Sequence, residues 1–178
     1  GDSVLFRWNN DKSWSIKHVS KNVEELTGYT DEEFLSLRIT YADIIHKDDI
    51  GRVISEVTTA KTQNLDFFSH EPYRIVSKNG DIKWALDHTV LQKEGDTVTH
   101  YLGYISDITD LKNIEQQALK AEQKFHTLFE ESLDTITLLD LQTQSFVEFN
   151  KRTLQMYGYT EEEFRRITPG DLDILHDK

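Results

Sequence analysis

Seven histidines and 32 acidic residues carry most of the potential chemistry in this 178-residue sequence. Their spacing predicts no catalytic site, because no nucleophile is paired with a base and no glycine-rich phosphate loop is present. His126 lies in a helical segment, but Thr127 and Leu128 follow it where a phosphoacceptor histidine would be followed by an acidic residue. We therefore predict that this stretch of chain is not an enzyme.

The same residue types predict no metal site. His88 and His100 fall on successive predicted strands and could become neighbours, but two histidines without a nearby carboxylate form an incomplete site. The sequence contains no cysteine, which removes disulfides, thiolate metal ligands and cysteine nucleophiles. The absence of cysteine also fits a cytoplasmic protein, which is the location we predict.

The overall composition excludes two classes of partner. The net charge of −12 repels phosphate backbones, so we predict no nucleic-acid binding. No apolar run approaches the roughly 18–20 residues that a membrane span requires, so we predict no span in this chain. With 37% hydrophobic residues, the chain can bury a core.

Part of the sequence occurs twice, at an offset of 130 residues. The segment 28–34 (Gly-Tyr-Thr-Asp-Glu-Glu-Phe) recurs at 158–164, and His46 recurs as His176. Ten of the 27 positions from Ser20 to His46 are identical in the two copies. Solenoid repeats recur at about 20–50 residues, so the longer offset indicates a duplicated domain. Because His46 stands at a predicted helix start in both copies, we favour a structural role for it.

Residue periodicity in the first copy changes from strand to helix and back to strand. Residues 4–19 predict a hairpin, and residues 20–62 predict several helices, with Thr30 and Glu33 as a capping box. Residues 73–108 then predict a three-stranded meander. This order of elements indicates an α+β fold, in which helices lie on one side of an antiparallel sheet.

A helical connector follows the meander. Its apolar residues are spaced 3, 4, 3, 4 and 3 apart, as in a coiled-coil heptad: Leu111, Ile114, Ala118, Ala121, Phe125 and Leu128. The stripe spans fewer than three heptads and contains two alanines. We favour a coiled coil between two chains, and the alternative is an amphipathic helix that lies on its own domain.

Four motifs in this order resemble the PAS family of sensory domains. They are Gly28-Tyr29-Thr30-x-x-Glu33-Phe34, Ile45-His46-x-Asp48-Asp49, Asn79-Gly80 followed by Trp84, and Gly103-x-x-x-Asp107-Ile108-Thr109. The resemblance covers the whole first copy and the opening of the second. It implies a PAS domain at residues 1–110, a helical connector at 111–131 and the N-terminal part of a second PAS domain at 132–178.

Membership of this family implies a five-stranded antiparallel sheet and short helices that enclose a small cavity. It also implies a sensory role in a prokaryotic signalling protein, with an effector domain in cis such as a histidine kinase, a diguanylate cyclase or a phosphodiesterase. Asp107, Ile108 and Thr109 would relay a shift of the sheet to the connector helix, because they cap that helix and anchor it. A homodimer is the expected assembly.

The resemblance also bears on cofactors, and we predict none. Photoreceptor members of the family form a flavin bond to a cysteine, which this chain lacks. Haem-binding members carry a histidine on the helix after the Asp-Asp pair, and the matching segment 49–62 contains no histidine. A small-molecule ligand stays possible, and its identity does not follow from the resemblance.

The alternation along residues 82–91 leaves two arrangements of the sheet. Packing by hydrophobicity would turn the apolar set around Trp84 and Leu86 toward the core. The resemblance implies the reverse, with Trp84 and Leu86 on an outer face that docks a partner together with Leu111, Ile114, Ala118 and Phe125. The cavity is then predicted to be lined by Tyr41, Ile45, Val53, Val57, Tyr73, Ile75, Ala85, Asp87, Thr89, Tyr101 and Ile105.

Two further expectations follow. The alternative to a sensor is a ligandless dimerisation scaffold, which a cavity too small for a ligand and an extensive symmetric interface would favour. In the second copy, Ile136, Leu138, Phe146 and Phe149 have no meander to cover them, so we expect them to pack on another chain or on the first domain.

Overall fold

The structure is a computed structural model that describes residues 3–173. The chain divides into two compact units, Gly1–Ile114 and Glu115–Lys178. The boundary falls inside one long helix, α5 (Thr109–Glu131), which corresponds to the predicted connector. Within residues 3–173 no helix combines the length and the apolar composition that a membrane span requires.

The first unit contains one antiparallel sheet. Its strands are β1 Val4–Asn9, β2 Ile16–Val19, β3 Phe67–Ser69, β4 Tyr73–Val76, β5 Ile82–Glu94 and β6 Thr97–Asp107. The order across the sheet is β2-β1-β6-β5, and β3 and β4 pair with different parts of β5. The sheet therefore has six strands, whereas five were predicted. The additional strand is the short β3, which the sequence pattern did not indicate.

Four helices cover one face of this sheet. They are α1 Val23–Thr27, α2 Asp31–Leu35, α3 Tyr41–Ile44 and α4 Ile50–Thr62. Phe34, Tyr41 and Val53 from the helices join Phe6 and Ile105 from the sheet in one buried cluster. The predicted α+β arrangement, with helices on one side, is confirmed.

The junction between α1 and α2 shows why the repeated motif contains glycine and threonine. Gly28 has φ +75°, and a Cβ at this position would lie 3.1 Å from the Lys78 Cβ, so both the turn and the packing favour glycine. Thr30 Oγ1 accepts a hydrogen bond from Glu33 N, and Glu33 Oε2 accepts one from Thr30 N. The predicted capping box is therefore present, and Thr160 and Glu163 repeat it in the second unit.

An ion pair attaches the start of α4 to the sheet. Asp49 precedes the helix, and its carboxylate accepts hydrogen bonds from Arg74 N, Nε and Nη2 at 2.7–2.9 Å. The Arg74 hydrogen bonds lower the pKa of Asp49 to about 2. The helix that forms one wall of the interior is thus fixed to β4 by a charged, bidentate contact.

The second unit contains the C-terminal part of α5 and a repeat of the first unit's opening elements. These are β7 Thr137–Asp140, β8 Ser145–Phe149, α6 Lys151–Tyr157, α7 Glu161–Phe164 and α8 Pro169–Asp173. Phe146 and Phe149 are buried against Phe164 of their own unit, so the expectation that they need cover from elsewhere was wrong. Ile136 and Leu138 remain 37% and 55% exposed. His176 lies outside the described residues.

Asn150 holds the second unit together at the end of α5. Its side chain is fully buried, and its Nδ2 donates to Phe129 O at 2.9 Å and to Asp134 O at 3.0 Å. Its Oδ1 accepts from Ile136 N and from the backbone and side chain of Thr153. One amide side chain therefore joins the last turn of α5, the start of β7 and the start of α6.

Candidate functional site

A small cavity lies between the helices and the sheet of the first unit. Its volume is about 30 Å³, which is room for roughly two water molecules. It is lined by Trp8, Trp14, Tyr41, Ile45, Val53, Val57, His70, Tyr73, Asp87, Thr89 and Tyr101.

Eight of the eleven residues predicted to line a ligand pocket meet at this cavity. The other three, Ile75, Ala85 and Ile105, are completely buried but belong to the surrounding core. Sequence reasoning missed Trp8, Trp14 and His70. The alternation of β1, in which Val4, Phe6 and Trp8 are the buried positions, was a usable pattern for Trp8.

Asp87 is the polar centre of the cavity wall. It is 2% exposed, and its Oδ2 accepts a hydrogen bond from Tyr73 OH at 2.8 Å, while its Oδ1 accepts one from Thr89 Oγ1 at 2.9 Å. Tyr73 OH also lies 2.8 Å from Tyr41 OH. Since Tyr73 donates its only proton to Asp87, Tyr41 is the donor to Tyr73. A directed chain of hydrogen bonds therefore runs from α3 through β4 to β5.

Burial is the main influence on the pKa values of the three groups in this hydrogen-bond chain. It raises the pKa of Asp87, and the nearby His70 and the hydrogen bonds from Tyr73 and Thr89 oppose that rise. Burial, and then the charge of Asp87, raise the pKa of Tyr41 and of Tyr73 well above the ordinary value. Both phenols are therefore neutral donors, as the chain requires.

His70 connects the cavity to the protein surface. Its ring is almost fully buried, its Nδ1 lies 2.5 Å from Glu56 Oε2, and its Nε2 lies 4.0 Å from Asp87 Oδ2. Glu56, on α4, also binds Arg52 Nη1 at 2.6 Å. The buried ring thus lies between a carboxylate of α4 and the carboxylate of Asp87 on β5.

Trp8 occupies its position because Gly103 has no side chain. A Cβ on Gly103 would lie 2.4 Å from two ring carbons of Trp8 and 3.2 Å from Asp87 Oδ1. The indole also stacks on Phe6, with ring centroids 5.2 Å apart, and meets Tyr41 edge to face. Gly103 in the fourth motif therefore sets where the aromatic wall of the cavity lies.

The two faces of β5 follow the arrangement that the resemblance implied. Ala85, Asp87, Thr89 and Leu91 are buried on the helix side, whereas Ile82 and Val90 are 48% and 40% exposed on the other. Trp84 and Leu86 are half-buried on this outer face. Arg74 and Lys112 lie over the Trp84 ring at 5.7 and 5.8 Å.

Strand β5 also carries the junction with α5. Trp84 N donates to Thr109 Oγ1, and Ile108 N donates to Trp84 O, each at 2.9 Å. Thr109 N and Oγ1 both donate to Asp107 Oδ1. Those hydrogen bonds and Lys83 lower the pKa of Asp107, against the effect of its burial. The predicted relay residues thus fasten the first turn of the helix to the strand that holds Asp87.

The apolar stripe of α5 is largely uncovered. Leu111, Ile114, Phe125 and Leu128 are each more than half exposed, and α5 has no buried residue. Burial therefore does not favour the alternative in which the helix packs its stripe on its own domain. A contact between two chains through this stripe stays a prediction.

His88 and His100, the pair considered for a metal site, lie apart on neighbouring strands. His88 lies opposite Tyr104 and His100 opposite Gln92, so the two histidines are not cross-strand neighbours. Among residues 3–173 no group of three or more histidine or acidic side chains is placed to hold a metal ion. His46 Nδ1 accepts a hydrogen bond from Asp48 N at the entry to α4, which agrees with a structural role.

Comparison with known proteins identifies the family. A profile described as PAS fold matches residues 16–105, about half of the chain, and one described as PAS domain matches residues 123–177. The chain therefore belongs to the PAS family of sensory domains, with two copies in tandem.

Individual relatives give the same picture. The methyl sulfide methyltransferase-associated sensor of Methanosarcina acetivorans is 36% identical over 141 residues, which are 78% of this chain and 14% of that protein. The probable diguanylate cyclase DgcE of Escherichia coli is 28% identical over 99 residues, 55% of this chain and 9% of that protein. The chain thus spans a small part of these curated relatives.

A solved structure shows the same fold. The sensory box histidine kinase/response regulator from Burkholderia thailandensis superposes with a TM-score of 0.57 at 24% identity, covering 71% of this chain and 92% of that one.

Proposed function

We propose that the first unit senses a small molecule, or a change in its own conformation, at the cavity and passes the response through α5 to an effector. One observation carries the proposal. Strand β5 contributes Asp87 to the cavity wall, and three residues earlier its Trp84 backbone binds both Thr109 and Ile108. A displacement of this strand at the cavity would therefore move the anchor of the helix.

The pairing of β5 with β6 gives a second connection from the cavity to α5. Asp87 lies opposite Ile105, and Ala85 lies opposite Asp107, which caps the helix. Lys83 extends the same strand and binds Asp107 Oδ2 at 3.2 Å. Every step from the cavity to the helix is thus a hydrogen bond, an ion pair or a strand pairing. Transfer along such a path needs no large rearrangement, since strand and helix are joined directly.

The effector is inferred from the relatives. Because the similar proteins include a probable diguanylate cyclase and a sensory histidine kinase, we propose an effector of one of these kinds, or a phosphodiesterase, in the same polypeptide. Dimerisation through the outer face around Trp84 and the stripe of α5 would bring two effectors together. We also propose that the protein binds no flavin, haem or metal and that it is cytoplasmic.

Hydrogen exchange tests the coupling. Asp87→Asn keeps the size of the side chain and removes its charge, and we expect it to change amide exchange in residues 109–115. His88→Asn is the matched control, because His88 follows Asp87 in β5 and its side chain lies on the outer face. Equal exchange in the wild type and in Asp87→Asn, with the fold intact by circular dichroism, would refute a coupled sensor.

The small cavity supports one alternative, a ligandless dimerisation module. A volume of about 30 Å³ excludes a drug-sized ligand unless the walls move. Native mass spectrometry of the purified chain separates the two functions, since it measures bound compound and oligomeric state together. A dimer without bound compound, whose exchange in α5 is insensitive to Asp87→Asn, would support the scaffold.

A further inference from the structure

A second depression of the first unit adjoins the cavity. This groove of about 590 Å³ lies between the β1–β2 turn, α4 and β6, and is lined by Asn10, Asp11, Lys12, Trp14, Ile54, Val57, Thr58, Lys61 and Tyr101. Ile54 is 48% exposed there. Trp14, Val57 and Tyr101 line both spaces. These three side chains therefore lie between the groove and the cavity.

The groove carries a positive charge on an acidic chain. Within residues 3–173 neither Lys12 nor Lys61 forms an ion pair, and Lys61 Nζ binds only the neutral Asn10 Oδ1, at 3.2 Å. The carboxylate of Asp11 accepts its hydrogen bonds inside its own turn, from Ser13 and Ser15. Two ammonium groups beside exposed apolar surface are suited to a ligand with one anionic group and an apolar body.

Trp14 is held in a strained conformation between the two spaces. Its φ of +48° lies in the left-handed region, which costs a bulky residue about 1–2 kcal/mol. Strain of this kind persists only where the surroundings enforce it, and it is concentrated at ligand clamps and switches. Displacement of the indole, which lines both spaces, would join the groove to the cavity.

The wall of the cavity includes a residue with an unused hydrogen-bond donor. Trp8 is 4% exposed and lines the cavity, and its Nε1–H has no hydrogen-bond acceptor among the described residues. A buried donor without an acceptor costs about 1–3 kcal/mol. A molecule that reached the cavity with an uncharged oxygen would satisfy this group.

We propose that the groove and the cavity form one binding site for a small organic carboxylate with an apolar body, which displaces the Trp14 indole. Its carboxylate binds Lys61 and Lys12, its body packs on Ile54 and Val57, and an oxygen at its far end accepts from Trp8 Nε1–H. This inference rests on the proposed sensory function and specifies the class of ligand.

NMR of the whole chain tests it with 4-hydroxyphenylacetate as the probe and 4-hydroxyphenylacetamide as its uncharged match. The three tryptophans give three indole N–H resonances. We expect the acid to shift those of Trp14 and Trp8 directly, and to shift that of Trp84, which lines neither space, by less. The amide should bind at least about tenfold more weakly, which corresponds to about 1.4 kcal/mol.

Variants separate the contributions. Lys61→Met should remove the preference for the acid, whereas Lys21→Met, a lysine outside the groove, should keep it. Trp14→Ala should bind the acid more tightly, because no indole has to be displaced. If Trp14→Ala does not fold, the acid–amide comparison in the wild type and in Lys61→Met decides the question.

Two results would overturn the inference: indole resonances of Trp8 and Trp14 that do not move at millimolar probe, or equal affinity for acid and amide. If these occur while Asp87→Asn still alters exchange in α5, the ligand class is wrong and the sensory function stands. If the acid binds as expected while Asp87→Asn leaves α5 unchanged, the site stands and the sensory function fails.

Discussion

Replacing Gly103 with alanine gives a direct test of how the cavity wall is built. A Cβ at this position would lie 2.4 Å from two ring carbons of Trp8, where ordinary contacts are 3.4 Å or longer. The indole would have to move by about 1 Å. Phe6 stacks on it and Tyr41 meets it edge to face, so it has little room to do so. Overpacking of this kind costs about 1–3 kcal/mol.

Urea unfolding measures this cost, and a double-mutant cycle assigns it. Trp8→Phe removes the ring carbons that meet the new methyl group, so Gly103→Ala should cost much less in that background. Gly51→Ala is the control, because a Cβ there meets nothing within 4 Å and helix propensity favours alanine by up to about 1 kcal/mol. An equal cost of Gly103→Ala in the wild type and in Trp8→Phe would show that the clash with the indole is not its cause.

Three other predictions concern stability. The pKa of Asp49 is about 2 in the folded protein, against an ordinary value of 3.8. The charged carboxylate therefore stabilises the fold fully above pH 3.8, and this stabilisation is lost as the pH falls through 2. Between pH 5 and pH 2, the free energy of unfolding measured by urea titration should therefore fall by about 2 kcal/mol less in Asp49→Asn than in the wild type. Parallel curves for the two proteins would contradict this. Tyr73→Phe removes the donor to Asp87 and the acceptor for Tyr41, and should cost about 1–3 kcal/mol in urea unfolding; a neutral effect would contradict the hydrogen-bond chain. Asn150→Ala leaves several backbone groups unpaired, so amide exchange should rise throughout residues 133–173 and stay unchanged in residues 4–105; protection in 133–173 equal to the wild type would contradict that role.

Much of the architecture could be predicted from local patterns. The capping box at Thr30 and its repeat at Thr160 depend on residues three apart, and the strands of the meander are marked by alternation and by turns. Predicting which face of β5 points inward required the family resemblance, because hydrophobicity alone would have turned Trp84 toward the core. These features are local, or belong to the family as a whole.

The site itself was less predictable, because it depends on contacts between distant segments. Trp14 stands in a turn, and it lines the groove and the cavity together with Val57 and Tyr101, which are distant from it in the sequence. His70 lies between the short β3 and β4, and nothing in the sequence pairs it with Glu56, fourteen residues earlier. The second unit shows the same limit, since Phe164 covers Phe146 and Phe149 without help from a meander.

In the proposed function, β5 couples the cavity to α5 through the contact between Trp84 and Thr109. Amide exchange in residues 109–115, measured for Asp87→Asn, Thr109→Ala and the double variant, tests it most directly. We expect Asp87→Asn to change this exchange in the wild-type background and to have no further effect once Thr109 is alanine. An effect of Asp87→Asn that is equally large in both backgrounds, or absent in both, would contradict it.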